Sequence, residues 1–404
     1  MLKYFKTQNP SDCFGCKACE NICNHNAISF KTDNEGFDYP ILDQIKCINC
    51  NLCTSVCPIE HFSKTKQINE PIVIACQNKN KKELSVSSSG GLFTLIAKHI
   101  ISQGGSVYGA AFETTLKVKH IRINKIEELE QLRGSKYVQS DINDTFKQVK
   151  KDLQSNIKVY FVGTPCQISG LKLYLRKEYP NLITTDLICH GVPSQKAFDT
   201  CLNQLNKKYH STINQYKFRD KNINGWSCWG SSSSFKKGHK IKNIIYDKNM
   251  KLYFNGFITG DMMRYCCYEC PFTTTNRTGD LTLADYWSIN KYHPNFPNIS
   301  QGVSLLLINS HKGENIWHEI KEETNFLISN IQYASQCNHN LTQTTPLNKE
   351  ERSISYNLYF NDYKKFTKKY YPKKEFIETL KQFIKYYIKK SIFKKIYNLY
   401  KSKQ

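Results

Sequence analysis

The sequence predicts an α/β (α+β) protein in three parts, and three observations support this prediction. Two cysteine-rich runs fill residues 13–58 and predict a small metal-binding domain at 1–65. Strand–turn–helix units follow one another in the middle of the chain, and they predict a domain with a mixed or parallel sheet at 66–345. The final part, 346–404, combines helical periodicity with many lysines, which predicts a basic amphipathic helical tail.

The composition is that of a folded protein with reduced thiols. The 404 residues are 40% hydrophobic and include 17 cysteines, and residues 1–10 contain no apolar run typical of a signal peptide. No segment reaches the apolar length of a membrane span. We therefore expect a cytoplasmic protein whose thiols bind metal. The net charge of +23 is concentrated at the end of the chain, since residues 364–404 contain 14 Lys and 2 Glu.

The cysteine pattern C-x-x-C-x-x-C-x-x-x-C occurs twice near the start of the chain. Thiolates are soft ligands, and eight of them at this spacing are the bacterial ferredoxin pattern for two 4Fe–4S clusters. In that pattern the fourth ligand of each cluster comes from the other run. The expected ligand sets are Cys13, Cys16, Cys19 and Cys57 for one cluster, and Cys47, Cys50, Cys53 and Cys23 for the other.

A zinc module and a disulfide scaffold are the alternatives for these eight cysteines. Zinc sites usually use four ligands in two pairs, which two interlocked quartets fit poorly. The sequence departs from the ferredoxin pattern at Asn24, which follows Cys23 where the pattern has proline. That change weakens the loop signature and removes no sulfur ligand.

Two loops in the middle of the chain are candidates for contacts with phosphate or flavin. Ser87-Ser-Ser-Gly-Gly91 precedes a predicted helix, and the free N–H groups at such a helix start bind phosphate. An ordinary helix cap explains the same residues. Arg133-Gly-Ser-Lys-Tyr137 places Arg, Lys, Ser and Tyr around one glycine, which suits a flavin or its phosphates, and a solvated loop is the alternative.

Two strand–turn–helix units place cysteines at one edge of the predicted sheet. The predicted strands Lys158–Val162 and Leu182–Ile188 are each followed by a turn that contains a cysteine. Ligands bind beyond the carboxyl ends of strands in parallel sheets. A later C-x-x-C motif brings the number of soft ligands to four. A third cluster, a redox-active dithiol and a zinc site all fit these four residues, which are Cys166, Cys189, Cys267 and Cys270.

Residues Glu375–Tyr400 have apolar side chains at helical spacing, with lysines on the other side. We favour a helix packed on the domain with a solvated lysine face. The alternative is a helix that lies on an anionic membrane surface and makes the protein membrane-peripheral. We expect no nucleic-acid partner, because no recognition fold accompanies the charge.

Several multi-residue motifs occur in a fixed order and resemble those of one family. The chain is similar, from about Cys13 to about Ile308, to the coenzyme F-420 hydrogenase/dehydrogenase beta-subunit family with a ferredoxin domain fused in front. The motifs are Ser88-Ser-Gly-Gly91, Leu132-Arg-Gly-Ser-Lys-Tyr-Val-Gln139, Val162-Gly-Thr-Pro-Cys-Gln167, Cys189-His-Gly-Val-Pro-Ser194, Cys267-x-x-Cys270 and Leu283-Ala-Asp-Tyr-Trp287.

The resemblance implies an FAD-containing iron–sulfur oxidoreductase whose middle domain binds the flavin. Electrons would pass from a redox partner protein, such as a ferredoxin, through 4Fe–4S clusters to FAD. The substrate would be a small molecule or a glycan precursor, since bacterial members with the fused domain are often associated with polysaccharide biosynthesis. A non-catalytic electron-transfer subunit that serves a separate catalytic partner is the alternative.

The resemblance also strengthens the prediction of a third cluster and assigns further site residues. Lys136 or His190 would supply a proton or stabilise reduced flavin. The predicted cofactor contacts are Ser88, Ser89, Gly90, Gly91, Arg133, Gly134, Ser135, Lys136, Tyr137, Gly163, Thr164 and Pro165.

Overall fold

The computed structural model describes residues 1–65 and 70–401, and it has the mixed α/β architecture that the sequence predicts. A small cysteine-rich domain comes first, and a larger domain built on a mixed sheet follows. The segment 59–69, which looks like a linker in the sequence, is largely helical up to Thr65, and residues 66–69 lie outside the description. Among the described helices, none has both the length and the apolar content needed to cross a bilayer.

The N-terminal domain consists of a β-hairpin and short helices that support the cysteine loops. Its helices are α1 (Lys3–Thr7), α2 (Ala18–Ile22), α3 (Leu52–Ser55) and α4 (Pro58–His61), and its strands are β1 (Ile28–Thr32) and β2 (Asp38–Leu42). The two strands pair antiparallel, with Phe30 opposite Pro40. Phe37 and Tyr39 of this hairpin belong to a hydrophobic core of the larger domain, so the two domains share buried packing.

The larger domain contains an extended sheet and a smaller one. Its strands are β3 (Ile72–Asn78), β4 (Ser106–Phe112), β5 (Val118–Ile123), β6 (Val159–Gly163), β7 (Leu182–Leu187), β8 (Ile213–Lys217), β9 (Ser232–Lys237), β10 (Lys240–Ile245), β11 (Leu281–Asp285), β12 (Ser304–Ile308) and β13 (Thr324–Ile328). Within the described residues, the main sheet has eight strands in the order β13-β3-β12-β11-β7-β6-β4-β5. Strands β4, β6, β7 and β11 run parallel, as expected for successive strand–turn–helix units.

Helices cover both faces of the main sheet. The helices of this domain are α5 (Lys81–Val86), α6 (Leu92–Ser102), α7 (Thr145–Gln154), α8 (Pro165–Leu175), α9 (Gln195–Tyr209), α10 (Lys221–Asn224), α11 (Lys248–Ile258), α12 (Ile289–Tyr292), α13 (His311–Ile320), α14 (Ile331–Cys337), α15 (Lys349–Asn361), α16 (Tyr363–Tyr370) and α17 (Lys373–Lys401). Successive residues of β6 point to opposite faces: Tyr160 packs with α6 and α13, and Phe161 packs with α7 and α8. Because both faces are covered, the strands read as continuous apolar runs.

The C-terminal region is helical, as the sequence predicts, and its first helices belong to the body of the protein. Strands β8, β9 and β10 form an antiparallel sheet whose core also contains residues of α9, α11 and α15. Tyr356 and Tyr359 of α15 are buried in this core. The predicted helix Glu375–Tyr400 lies within α17, and the side chains predicted at its far end, Ile392, Ile396 and Leu399, lie outside the described residues.

Candidate functional site

The two cysteine loops of the N-terminal domain have the same backbone shape. The residues on both sides of the middle cysteine have positive φ angles: Gly15 (67°) and Lys17 (58°) in the first loop, and Asn49 (56°) and Asn51 (60°) in the second. This conformation is uncommon for residues other than glycine and is concentrated at functional sites. It bends each loop tightly just before a helix begins, so that the loop curls around a shared space.

One such space is lined by four cysteines that we call the inner set: Cys13, Cys16, Cys19 and Cys57. Phe30 and Pro40 of the hairpin complete the lining of this cavity of about 390 Å³. Burial raises the pKa of the Cys57 thiol to about 12, and it raises the pKa values of Cys16 and Cys19 well above the usual thiol range. A metal centre that binds these sulfurs must therefore displace their protons.

A second space, of about 520 Å³, is lined by four cysteines that we call the outer set: Cys23, Cys47, Cys50 and Cys53. Met1, Leu42 and Ile48 line the same cavity. Cys50 is exposed, whereas the other three are partly buried. In both sets the fourth cysteine comes from the other run, so the cavities group the eight residues as the spacing predicts. Which sulfurs bind iron stays a prediction.

The four cysteines of the larger domain also lie together, and we call them the third set: Cys166, Cys189, Cys267 and Cys270. They come from the start of α8, the turn after β7 and the loop that contains the 3-10 helix Tyr265–Cys267. Burial raises the pKa of Cys166 to about 11 and that of Cys270 to about 12, and charge on Cys267 contributes to both shifts. The pKa of Cys189 is raised by burial and then by charge on the other three.

The adjacent Cys266 has a different environment from the third set. It packs with Phe14 and Phe272, and its hydrogen bond to Cys267 lowers the pKa of the Cys267 thiol. The apolar cluster around Cys266 also includes partly buried Cys166 and Cys270. Phe14 lies in the first cysteine loop, so this cluster joins the third set to the N-terminal domain.

Helix α8 connects the third set to the inner set directly. Cys166 lies in its first turn, and Gly170 one turn later faces Cys16. A Cβ atom at Gly170 would be 3.1 Å from Cys16 Sγ, closer than an ordinary van der Waals contact. Glycine therefore lets the inner set approach the helix that begins at the third set. The sets follow one another in the order outer, inner, third.

The donor chemistry of all three sets fits iron–sulfur clusters. Each set offers four thiols, which are the ligands that 4Fe–4S clusters require. Within the described part of the chain, no three or more His, Cys, Asp or Glu side chains are grouped as ligands of a single metal ion. The inner and outer sulfurs instead surround a cavity.

The two loops predicted to contact a flavin meet each other. The backbone N–H of Ser135 donates to Ser88 Oγ at 3.1 Å. Ser89 Oγ donates to the Val303 carbonyl, and the N–H of Gly90 donates to Ser304 Oγ, so the first loop sits at the carboxyl end of β3. This is the sheet edge at which Cys166 and Cys189 also lie.

The glycines of these loops differ in surroundings. A Cβ atom at Gly90 would be 2.5 Å from the Cys76 carbonyl oxygen, so this glycine is required by packing against the sheet. Gly91 has a φ of 83° where α6 begins. Gly134 has a φ of 81° and no atom within 4 Å of its Cβ position, which leaves open space beside the second loop.

The basic residues of the second loop have different partners. Arg133 forms ion pairs with Glu83 and Glu130. Lys136 donates to the carbonyls of Gln131 and Arg133 at 3.1 and 2.8 Å, and in the described part of the chain it forms no ion pair. Burial lowers the pKa of Lys136 to about 7. Lys136 is therefore the cation of this loop that remains available to an anionic ligand.

Tyr137 and His190 are held by protein contacts. Tyr137 stacks on Phe257 at 4.5 Å between ring centroids, and His190 meets the edge of the same ring at 5.0 Å. His190 Nε2 lies 3.1 Å from the Phe257 and Ile258 carbonyls, and Nδ1 lies 2.8 Å from Asn340 Oδ1. Both ring nitrogens are occupied, so the structure shows His190 anchoring its turn.

Gly163, Thr164 and Pro165 form the start of α8. Pro165 is the first residue of the helix, and Thr164 and Gln167 form a reciprocal capping box. Thr164 Oγ1 is 3.2 Å from Cys166 Sγ. These residues thus position a cysteine of the third set, while their predicted flavin contact stays a prediction.

Sequence reasoning missed a buried polar cluster at the same sheet edge. Asp285, at the end of β11, pairs with Arg219 and accepts a hydrogen bond from Trp226 Nε1 at 2.6 Å. Trp226 stacks on Trp287 at 5.1 Å. Asp285 was visible in the Leu283-to-Trp287 motif, but its arginine partner is 66 residues away. Local spacing carries no signal for such a pair.

Comparisons with known proteins support the two-domain interpretation. The sequence model of the 4Fe–4S dicluster domain matches residues 12–60. The model for the C terminus of the coenzyme F420 hydrogenase/dehydrogenase beta subunit matches residues 157–333. The two matches together cover more than half of the chain, and they contain all twelve cysteines of the three sets. The loops 88–91 and 133–137 lie outside them.

A search of curated proteins found no match. Among solved structures, the chain is similar to one from the F420-reducing [NiFe] hydrogenase complex of Methanosarcina barkeri, described in a study of its xenon derivatization. The similarity covers 75% of this chain and 92% of that one, at 16% identity and a TM-score of 0.42.

The family matches and the three cysteine sets describe one kind of molecule. The N-terminal match identifies a domain that binds two 4Fe–4S clusters, and the second match identifies the domain on which it packs. The chain belongs to the coenzyme F420 hydrogenase/dehydrogenase beta-subunit family, as an iron–sulfur electron-transfer protein with a dicluster domain ahead of the beta-subunit domain.

Proposed function

We propose that this protein is an iron–sulfur flavin-dependent oxidoreductase in which electrons move from the outer set to the inner set and then to the third set. The observation that carries this proposal is the position of α8. Its first turn supplies Cys166, and its Gly170 packs against Cys16. Transfer between two centres requires that they be close, and one helix turn spans only about 5.4 Å.

The proposed flavin site is the junction of the loops 88–91 and 133–137. The Ser135–Ser88 hydrogen bond joins them, Lys136 supplies a cation that no carboxylate pairs with in the described residues, and Gly134 leaves open space. A bound flavin would couple the one-electron chemistry of clusters to the two-electron chemistry of a substrate. In this arrangement Lys136 would hold an anionic part of the flavin, and Tyr137 would close the site from the side of Phe257.

We place the reaction in a reducing cytoplasm, since all 17 cysteines are free in the structure. The electron donor would be a ferredoxin-like partner. The acceptor would be a small molecule, with glycan precursors as the first class to examine. A native protein recovered with oxidised cysteine pairs would contradict this location.

Anaerobic purification with iron, sulfide and flavin analysis tests the proposal. We expect about twelve irons and one FAD per chain. Replacing Cys189→Ser should reduce the iron content to about eight. The control Cys337→Ser changes a partly buried cysteine outside the three sets and should leave the iron content unchanged. A wild-type protein with about eight irons and no flavin would contradict both the third cluster and the flavin.

The second candidate is an electron-transfer subunit that serves a separate catalytic protein. The exposed surface at the outer set favours it, because Cys50 and the 98% exposed Ile45 lie where a partner could dock. Under this hypothesis the isolated chain would reduce an artificial acceptor and no metabolite. Turnover of a small molecule by the isolated chain would reject it.

A further inference from the structure

Helix α17 contacts the body of the protein through its polar side. Glu375 forms an ion pair with Lys251 at 2.6 Å, and Lys251 also donates to Thr379 Oγ1 at 3.3 Å. Thr379 is buried, and the ring of Tyr386 meets that of Tyr246 at 6.0 Å. The side of the helix used for packing is therefore not its apolar side.

The apolar side of α17 faces away from the body. Seven large apolar residues at spacings of three, four and seven are each 40–55% exposed, which indicates a continuous stripe. They are Phe376, Ile377, Leu380, Phe383, Ile384, Tyr387 and Ile388. A stripe of this kind is normally buried against another surface. The favoured interpretation of the sequence, a helix packed on the domain, thus holds for the helix as a whole and not for its apolar stripe.

Lysines border this stripe. Lys374, Lys381 and Lys385 follow it along the exposed flank of the helix. The surrounding segment, residues 364–404, contains 14 Lys and 2 Glu. An apolar stripe bordered by lysines is typical of helices that lie in the headgroup region of a membrane. Pairing of two such helices would instead bring two strongly positive segments together.

We propose that α17 docks the protein on an anionic membrane surface, with its apolar stripe in the headgroup region and its lysines against acidic lipids. Each lysine near such a surface contributes about 1 kcal/mol, which corresponds to about fivefold in partition. The proposal does not depend on the clusters or the flavin. It depends on the side of α17 that contacts the body.

Flotation with lipid vesicles tests this proposal on the full-length, iron-loaded protein. We expect binding to vesicles of phosphatidylcholine with phosphatidylserine, and much weaker binding to phosphatidylcholine alone. Replacing Lys374, Lys381 and Lys385 by Gln together should weaken partition about hundredfold. Phe383→Asp should also abolish binding. The control Ile328→Asp alters a 74% exposed isoleucine on β13 and should have no effect.

Three results would overturn the membrane proposal. One is the absence of binding to acidic vesicles, and another is equal binding of the lysine variant. The third is a lipid-free dimer that Phe383→Asp dissociates, which would identify a second copy of the chain as the occupant of the stripe. The iron content of each variant shows that the protein remains folded.

A different observation concerns the buried arginines. Four arginines in the described part of the chain are at least 91% buried, and three of them form ion pairs with carboxylates. These three pairs are Arg219 with Asp285, Arg277 with Asp186, and Arg352 with Glu35. Arg264 is 0% exposed, and no carboxylate pairs with it in the described part. A buried charge without a counter-charge is costly.

The guanidinium of Arg264 is held by backbone and amide oxygens. Nε donates to the Cys13 carbonyl at 2.8 Å, Nη2 to the Asp38 carbonyl at 2.9 Å, and Nη1 to Gln139 Oε1 at 3.2 Å. It also lies 4.2 Å from the ring centroid of Tyr39. These contacts fix its position and leave its charge uncompensated.

Arg264 lies between the inner set and the third set. Its main chain is three residues from Cys267, and its side chain reaches Cys13. Burial lowers the pKa of Arg264, but negative charge on Cys13, Cys266 and Cys267 outweighs burial and raises it. Gly15 permits the approach, because a Cβ atom there would be 3.0 Å from Nη1.

We propose that Arg264 is a positioning residue that supplies the counter-charge for the thiolates of the inner and third sets and favours their reduced state. This proposal rests on the proposed function. A one-electron donor loses one electron and a centre gains it, so the centre becomes more negative by one charge. A fixed cation nearby favours that change, and among the described residues the outer set has no such buried neighbour.

Potentiometric titration followed by EPR tests the role of Arg264. In Arg264→Gln, the reduced-to-oxidised ratio of the inner centre at a fixed potential should fall about tenfold, which is about 59 mV. Arg264→Lys keeps the charge and should restore most of the ratio. The outer centre should not change. The control Arg122→Gln removes a more exposed arginine paired with Asp152, and it should leave both centres unchanged.

An unchanged midpoint in an iron-replete Arg264→Gln protein would overturn this proposal. If that variant does not fold, Arg264→His provides the measurement. Its charge disappears as the pH rises through the histidine range, so the midpoint of the inner centre should fall with pH, and a flat profile would reject the idea. Failure of the proposed function itself would appear earlier, as a wild-type protein without iron.

Discussion

The outer and inner cysteine sets share a local design and differ in everything around it. Both loops have positive φ angles on either side of the middle cysteine, at Gly15 and Lys17 and at Asn49 and Asn51. The outer cavity opens to solvent beside exposed isoleucines, whereas the inner cavity is enclosed by the hairpin and faces Gly170 of α8. The backbone motif therefore determines that a cluster can bind, and the surroundings determine what the cluster can exchange electrons with.

This difference gives the molecule a direction. Electrons that enter or leave through a protein partner can use the exposed outer set, and those that reach the larger domain must pass the inner set. The buried cation Arg264 is found only on the inner side of this comparison, among the described residues. The predictions below alter one set at a time.

Gly170→Val should have the largest effect, because it removes the space between α8 and the inner set. The added side chain would collide with Cys16, whose Sγ is already 3.1 Å from the Cβ position. We expect the loss of about four irons from the inner set, with the outer set retained. Iron analysis and EPR of the anaerobic protein measure this. A full iron content would show that the inner set tolerates the larger side chain.

Arg352→Met should be the next largest, because it breaks the contact that holds the hairpin against α15. Both guanidinium ends of Arg352 bind Glu35, at 2.7 and 2.5 Å, and Arg352 is 1% exposed. Removal of one partner of a buried pair costs about 3–5 kcal/mol. Since the hairpin lines the inner cavity only, the inner set should lose iron to a chelator before the outer set does.

The matched control for this variant is Lys369→Met. Lys369 pairs with Glu351 at 3.0 Å on the surface, and such a pair contributes about 0–1 kcal/mol. Anaerobic unfolding of the iron-loaded proteins compares the two variants. Equal destabilisation would mean that the hairpin does not depend on α15.

The sequence predicted the elements that arise from local pattern and missed those that arise from tertiary contact. Strand β7 and helix α9 lie where apolar runs and turns predicted them, because strand and helix periodicity are properties of neighbouring residues. The three cysteine sets were also foreseeable from spacing and turn position. Arg264 was not, since its carbonyl partners at Cys13 and Asp38 are 251 and 226 residues away.

The outward apolar side of α17 was equally out of reach. Helical periodicity predicts which residues share a side and does not indicate which side meets the body. That choice depends on Lys251 and Tyr246, which are far away in the sequence.

Substitution of the exposed isoleucines should affect only exchange with a partner at the outer set. Ile45 and Ile48 are 98% and 62% exposed. Changing both to Asp should slow reduction by a ferredoxin about tenfold, the effect of about 1.4 kcal/mol at an interface. Reduction by dithionite should be unchanged, because this small reductant needs no docking surface. Ile328→Asp is the control, and an equal effect of the control would remove the outer surface from the argument.

The smallest expected effect compares equivalent positions in the two loops, Asn51 and Lys17. Both have left-handed backbone, which costs a residue other than glycine about 1 kcal/mol, and less for asparagine. Asn51→Gly relieves some of that cost and loses only an exposed hydrogen bond from the N-terminus, so stability should change by less than about 0.5 kcal/mol. Lys17→Gly relieves more backbone strain but breaks the ion pair with Asp141 at 2.7 Å, which joins the loop to the larger domain. We expect it to be less stable than Asn51→Gly by about 1 kcal/mol in anaerobic unfolding. If Lys17→Gly were instead the more stable variant, contact with the larger domain would not be what distinguishes the inner loop from the outer one.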